Sequence, residues 1–267
     1  MTNDPGGASL GPGGVAPAGS RSLWFPHQHG AWAMLAVPLL LGIAASRFDP
    51  WQIVLAAAAV AGYLLSATWQ AWSRARRRPS FLFSLRIYGA AFAILAVLLV
   101  ATHPAIVVAG AVVVPAAAIA LLGARPGARR EIGDSLAQVV EALILTPVAA
   151  YLSGAFDPPT VAVYTAIAAV YLAGTVLVVR SVIRERGNTA FAIGSVAFHA
   201  ALVVAALAWL PVAYVVLAAG LMLRAAALPI VQRRLAGGPK PLRPVHVGAV
   251  EAVAAIAVVV VAFMVPA

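Results

Sequence analysis

The chain has 267 residues, 63% of them hydrophobic and 10% charged, with 18 Lys and Arg against 8 Asp and Glu for a formal charge of +10. A soluble domain is typically about 25% charged, so a water-soluble fold of this size is excluded by a shortage of polar residues to cover it. The lack of cysteine excludes disulfides, thiolate metal sites and thiol catalysis within the chain, and basic residues in short runs between apolar segments do not build a nucleic-acid-binding domain.

Residues 1–23 read as a disordered N-terminal tail and 24–267 as a transmembrane helical domain. Met1 to Ser20 is rich in Gly, Pro and Ala, and it lacks the basic and apolar regions of a signal peptide. A spanning helix needs roughly 20 apolar residues. About nine segments meet that rule, near 30–46, 51–72, 85–102, 104–122, 135–154, 160–179, 190–209, 212–232 and 246–265. Asp49-Pro50, His103-Pro104, Asp157-Pro158-Pro159 and Pro211 mark boundaries between them. The divisions at 102–104 and 209–212 require turns of two or three residues. The expected fold class is therefore all-α, a polytopic transmembrane bundle of about nine helices with the lipid bilayer as its partner.

Charge supports that count. Arg74, Arg76, Arg77, Arg78 and Arg86 follow the second segment, and Arg125, Arg129 and Arg130 the fourth. Arg180, Arg184 and Arg186 follow the sixth, and Arg233, Arg234, Lys240 and Arg243 the eighth. The alternate loops carry only Arg47. By the positive-inside rule the N-terminus is cytoplasmic, the C-terminus lies outside and the number of spans is odd.

The first segment opens with Trp24-Phe25-Pro26-His27-Gln28-His29-Gly30-Ala31-Trp32-Ala33-Met34. Its aromatics suit a membrane interface, but two imidazoles, an amide and a glycine exceed what an interface needs. His27 and His29 are two apart and point to different helix faces, a poor bidentate metal pair, and the spacing gives no support to haem ligation. No metal is expected.

Ionisable residues within spans cost about 2.5–3.5 kcal/mol each on insertion scales. Glu141, Arg224 and Glu251 are such residues, and His199 is a milder case that reads as a hydrogen bond between helices. At 1.5 Å per residue, Glu141 lies roughly 9 Å beyond Ser135, Glu251 roughly 8 Å in from His246 and Arg224 roughly 12 Å in from Gln232. All three fall in the cytoplasmic leaflet. Asp134, Gln138 and Glu141 recur at i, i+4 and i+7 and give the fifth segment a polar stripe. Two readings stand: a polar cavity open to the cytoplasm, or a structural clasp of Arg224 with Glu141 or Glu251. Arg180 and Arg184, like Arg74 and Arg78, share a helix face and suit phosphate or carboxylate, or else serve as ordinary topology charges beside lipid headgroups.

Gln28-His29-Gly30-Ala31-Trp32, followed by Met34-Leu35 and Pro38, resembles the N-terminal signature of the YwiC-like family of bacterial membrane proteins. Arg184-Glu185-Arg186-Gly187-Asn188 and Val247-Gly248 with Glu251 are shorter likenesses to the same family. The resemblance implies a bacterial cytoplasmic membrane protein, without an established activity. The helix number and loop placement are also similar to the UbiA prenyltransferase superfamily, whose Asp-rich motifs hold magnesium and a prenyl diphosphate. Here the corresponding positions, Arg74 to Arg78 and Arg180 to Arg186, are basic with Glu185 the only acid. Magnesium needs carboxylate ligands, whereas Arg holds an anion without metal.

Three functions follow as expectations. The first is a UbiA-like site for an anionic amphiphile such as an isoprenoid, quinone precursor or haem. Arg180, Arg184, Arg224, Gln28 and Gln138 would bind, and His29, Glu141 and Glu251 would act as acid, base or orienting groups. The second is a secondary transporter or proton-coupled permease using Glu141, Arg224 and Glu251 as a substrate or proton relay; Pro38, Pro115 and Pro147 lie inside spans, as broken helices would need, but no clear inverted repeat accompanies them. The third is a non-catalytic assembly factor of a respiratory complex. The residues name no cofactor.

Overall fold

A computed structural model describes residues 29–75, 78–122, 132–235 and 243–267. Its regular structure is helical: α1 (His29–Ala44), α2 (Trp51–Arg74), α3 (Leu82–Thr102), α4 (Val107–Leu122), α5 (Ile132–Leu143), α6 (Leu145–Leu152), α7 (Pro158–Ile183), α8 (Thr189–Trp209), α9 (Val212–Leu235) and α10 (Pro244–Met264). Among the described residues, seven helical stretches are long and apolar enough to cross a membrane, with α5 and α6 together making one, while the apolar parts of α1 and α4 are shorter. Each expected segment is thus helical, and the class is the expected polytopic bundle. The tail and the basic loop residues Arg76, Arg77, Arg125, Arg129, Arg130 and Lys240 lie outside the described residues.

Lipid as solvent explains which faces stay bare. Phe83, Ile94 and Val97 on α3 are each about two-thirds exposed, and a helix in hydrocarbon gains nothing by hiding them. The centre is built from α1 and α7. The main core joins Val37 and Leu41 of α1 to Val139 and Ala142 of α5, Ala168 and Leu172 of α7 and Val258 of α10. α1 is short for a span, yet it packs on α10, α6, α7 and α2, so protein surrounds much of it.

Two prolines and a glycine shape that centre. Pro147 has no N–H for the carbonyl of Leu143, and the fifth span breaks at Ile144 between α5 and α6. Thr146 Oγ1 donates to the Pro38 carbonyl at 2.9 Å, buried between α6 and α1. One turn on, a Cβ on Gly42 would collide with the Thr146 carbonyl and sit 2.8 Å from Ala149 Cβ. Only glycine lets these backbones approach so closely.

The helix ends are closed by named groups. Asp157 caps α7 by accepting from Thr160 N at 3.2 Å, and Asn188 caps α8 by accepting from Phe191 N at 3.1 Å. At the far end of α10, Tyr164 Oη donates to the Ala262 carbonyl at 3.2 Å and Tyr214 Oη to the Val265 carbonyl at 2.9 Å. The isolated Arg47 also finds its reason: its Nε donates to the Ser153 carbonyl at 3.1 Å, at the negative end of α6. Gln52 Nε2 joins the same corner, donating to the carbonyls of Ala149 at 2.8 Å and Arg47 at 3.0 Å.

The tight turns are real. His103 alone separates α3 from the helical turn Pro104–Ile106 that leads α4, and Leu210-Pro211 joins α8 to α9.

Candidate functional site

Arg224 of α9 and Glu251 of α10 meet in the bundle. Nη1 lies 2.7 Å from Oε2, with the two side chains only 7% and 5% exposed. Thr175 Oγ1 of α7 donates to the same Oε2 at 3.0 Å, and Tyr171 Oη donates to the Glu251 main-chain carbonyl at 3.3 Å. Tyr171 and Thr175 sit one turn apart on α7, so a single face of that helix supplies both hydroxyls. The clasp weighed from sequence therefore forms with Glu251, and Arg224 does not bond Glu141.

The cluster is only partly satisfied by protein. Arg224 Nε and Nη2, Glu251 Oε1 and Ser195 Oγ are buried with no hydrogen-bond partner among the described residues. Nε and Nη2 form one edge of the guanidinium, the fork that matches two oxygens of a carboxylate or phosphate. Each such group left unmade in an apolar interior is expensive.

His199 of α8 is fully buried, and its Nδ1 lies 2.7 Å from the Ser195 carbonyl. Its Nε2 would lie 2.8 Å from a Cβ at Gly174 of α7, so the missing side chain at 174 makes room for the ring. The hydrogen bond lies within α8, where the sequence suggested one between helices, and the ring meets α7 by packing over Gly174.

Glu141 stands apart. Oε1 is buried and has no partner among the described residues, and Gln138 is half-buried one turn before it. The buried face of α5 runs through Val139 and Ala142, so the polar stripe borders the core instead of filling it. Nothing is described of the side chains of Asp134 and His29, nor of Gln28 at all.

The end of α7 forms its own small site. Arg180 Nη2 lies 3.7 Å from Glu185 Oε1, while Nε and Nη1 are buried without a hydrogen-bond partner among the described residues. Glu185 Oε2 accepts from Asn188 Nδ2 at 3.1 Å, Arg186 Nε donates to the Val182 carbonyl at 2.9 Å, and Gly187 turns the chain at φ +82°. The stretch from Arg184 to Asn188 thus builds the connection between α7 and α8. Its single acid is already engaged by Arg180 and Asn188, which does not fit a magnesium-diphosphate motif.

Sequence reasoning found Arg224 and Glu251 but missed Thr175, Tyr171 and Ser195. The four-residue spacing of Tyr171 and Thr175 in an otherwise apolar helix was a usable signal.

Fold and site together define a multi-pass helical membrane protein with an ion pair buried between its last helices. Residues 25–151, a little under half of the chain, match the family model described as YwiC-like protein. The matched segment ends before α7, so the Arg224–Glu251 cluster lies wholly beyond it. No curated protein and no solved structure matches the chain.

Proposed function

We propose that this integral membrane protein binds the anionic headgroup of an amphiphile inside the bundle, on Arg224. One observation carries the reading: the guanidinium is buried, anchored through Nη1 by Glu251, and its Nε–Nη2 edge has no hydrogen-bond partner among the described residues. Glu251 and Thr175 orient the fork, as a preorganised anion site requires. Basic residues at the adjoining ends of α7 and α9, including Arg180, Arg184 and Arg233, support a cytoplasm-facing approach in the bacterial inner membrane, with the N-terminus inside. An isoprenoid phosphate, a quinone precursor or a haem carboxylate has the required anion and apolar body. His29, Gln28, Gln138 and Glu141 belong to this proposal only as groups along the approach, and no chemical step is assigned to them.

The test is mass spectrometry of small molecules retained after mild detergent purification. Wild type is compared with Arg224→Lys and with the double variant Arg224→Met, Glu251→Leu. The double variant removes the pair without leaving a lone buried charge, so it should fold within about 1 kcal/mol of wild type or better. A defined anionic amphiphile present in wild type and lost in both variants is expected. Equal retention in all three samples would overturn the reading.

The broken fifth span favours a second function. Discontinuous helices with a nearby carboxylate are features of secondary transporters, and α5–α6 breaks at Ile144, three residues past Glu141. Proton-coupled flux in proteoliposomes that vanishes with Glu141→Gln would put this reading first.

A further inference from the structure

A groove of about 390 Å³ lies between α8 and α9. Ala192, Ile193 and Val196 line one wall, and Ala226, Pro229 and Ile230 line the other. Ile193 and Ile230 on its lips are 62% and 52% exposed, so it opens on the outside of the bundle, where hydrocarbon is the solvent. From Ala225 to Arg233 it follows α9 for about 12 Å.

One end differs from the rest. Arg233, in the last turn of α9, donates from Nη2 to Thr189 Oγ1 at 3.0 Å and is thereby tied across to the first residue of α8. The tie holds the guanidinium at the mouth of the groove through Nη2. Arg234 follows it, the positive end of the α8 dipole lies alongside, and no acidic residue lines the groove.

We propose that this groove seats an acyl chain of an anionic phospholipid, with the lipid phosphate on Arg233. The lining takes hydrocarbon and offers a long chain no polar partner except at the mouth. Arg233 is the one charged residue among those lining the groove, so its mouth favours a headgroup with net negative charge over a zwitterionic one, whose ammonium would meet Arg233. Arg233 also stands where the topology puts the headgroup layer, at the basic end of α9. This site does not depend on the Arg224 reading, because the two guanidiniums belong to different surfaces of α9: Arg224 is buried against α10, and Arg233 is exposed.

The experiment is native mass spectrometry of delipidated protein in detergent, titrated with phosphatidylglycerol or phosphatidylcholine of identical chains. Wild type should retain phosphatidylglycerol with about fivefold preference. Arg233→Gln should abolish the preference, whereas Arg86→Gln, which removes an equal charge from an exposed site on α3, should leave it intact. Ala197→Trp, which fills the groove from its exposed side, should reduce retention of both lipids. Loss of the preference in Arg233→Gln, with the Arg224–Glu251 pair untouched, separates this lipid from any ligand at the ion pair. Equal retention of the two lipids by wild type overturns the proposal, and so does an equal loss in Arg86→Gln and Arg233→Gln.

Discussion

Glu251 and Glu141 are both carboxylates set two to three turns inside membrane helices, yet their surroundings differ completely. Glu251 is 4% exposed and holds Arg224, Thr175 and, through its backbone, Tyr171. Glu141 has a buried oxygen with no partner among the described residues. The cause lies in the neighbours. α10 packs against α7 and α9, which bring hydroxyls and a guanidinium to its face, whereas α5 packs on α4, α7 and α1 and no such group among the described residues bonds the buried oxygen of Glu141. Depth in the bilayer makes a carboxylate costly, and packing decides whether that cost is offset inside the protein or by something it binds.

Breaking the paired side gives the largest effect. Glu251→Ala leaves Arg224 buried without its counter-charge and should cost about 3–5 kcal/mol. Reversible unfolding in mixed micelles, or the fraction surviving heating as a monodisperse peak, measures it. A loss no greater than that of Glu141→Ala would show that the ion pair is not what holds α9 to α10.

The second test acts on the helices that carry the unpaired side. Gly42→Val drives a branched side chain into the Thr146 carbonyl and Ala149, where α1 supports the broken fifth span. Backbone cannot move aside as a side chain can, so the loss should be about 3 kcal/mol, the upper part of the range for overpacking. Gly133→Val, where nothing lies near the added Cβ, is the control and should change stability far less. Equal effects would mean that the α1–α6 contact is softer than its geometry.

These comparisons also mark what was legible beforehand. Apolar run length and Pro-marked boundaries were enough to place every segment, because lipid forces each span to satisfy its own backbone. The depth of Arg224, Glu141 and Glu251 was likewise readable from their distance to the span ends. The partner was not: Arg224 stood at similar depth to both carboxylates, and only the placing of α10 against α9 chose Glu251. The break at Ile144 was half visible in Pro147, since a proline inside a span is sometimes accommodated without a break, as Pro38 and Pro115 are here. Gly42 and Gly174 carried no sequence signal, as their importance rests on residues more than 20 positions away. Arg47 looked like an exception to the charge rule and turns out to be a cap on α6.

Within the paired cluster a gentler change refines the account. Thr175→Val keeps the shape of the side chain but removes the hydroxyl that donates to Glu251 Oε2. Interhelical hydrogen bonds of this kind average about 0.6 kcal/mol, so stability should fall by roughly that amount. Retention of an anionic amphiphile should fall further than stability does, because Thr175 orients the carboxylate that orients Arg224. A change in stability alone, with binding untouched, would assign Thr175 to packing.

Glu141→Gln should have the smallest effect on folding and the most informative one on function. The amide has the volume of the carboxylate and carries no charge, and no cation within the described residues is bonded to Glu141 to be left behind. Surface-like substitutions without a named partner usually fall within about 0.5 kcal/mol, and removing an unpaired buried charge can even stabilise. Had Glu141 belonged to a clasp like that of Glu251, the same substitution would strand a guanidinium and cost several times more. A thermal midpoint equal to wild type, together with lost proton-coupled flux, would make Glu141 a working group of the broken span. An equal midpoint with flux and ligand retention both unchanged would leave the paired side, Arg224 and Glu251, as the chemistry this bundle is built around.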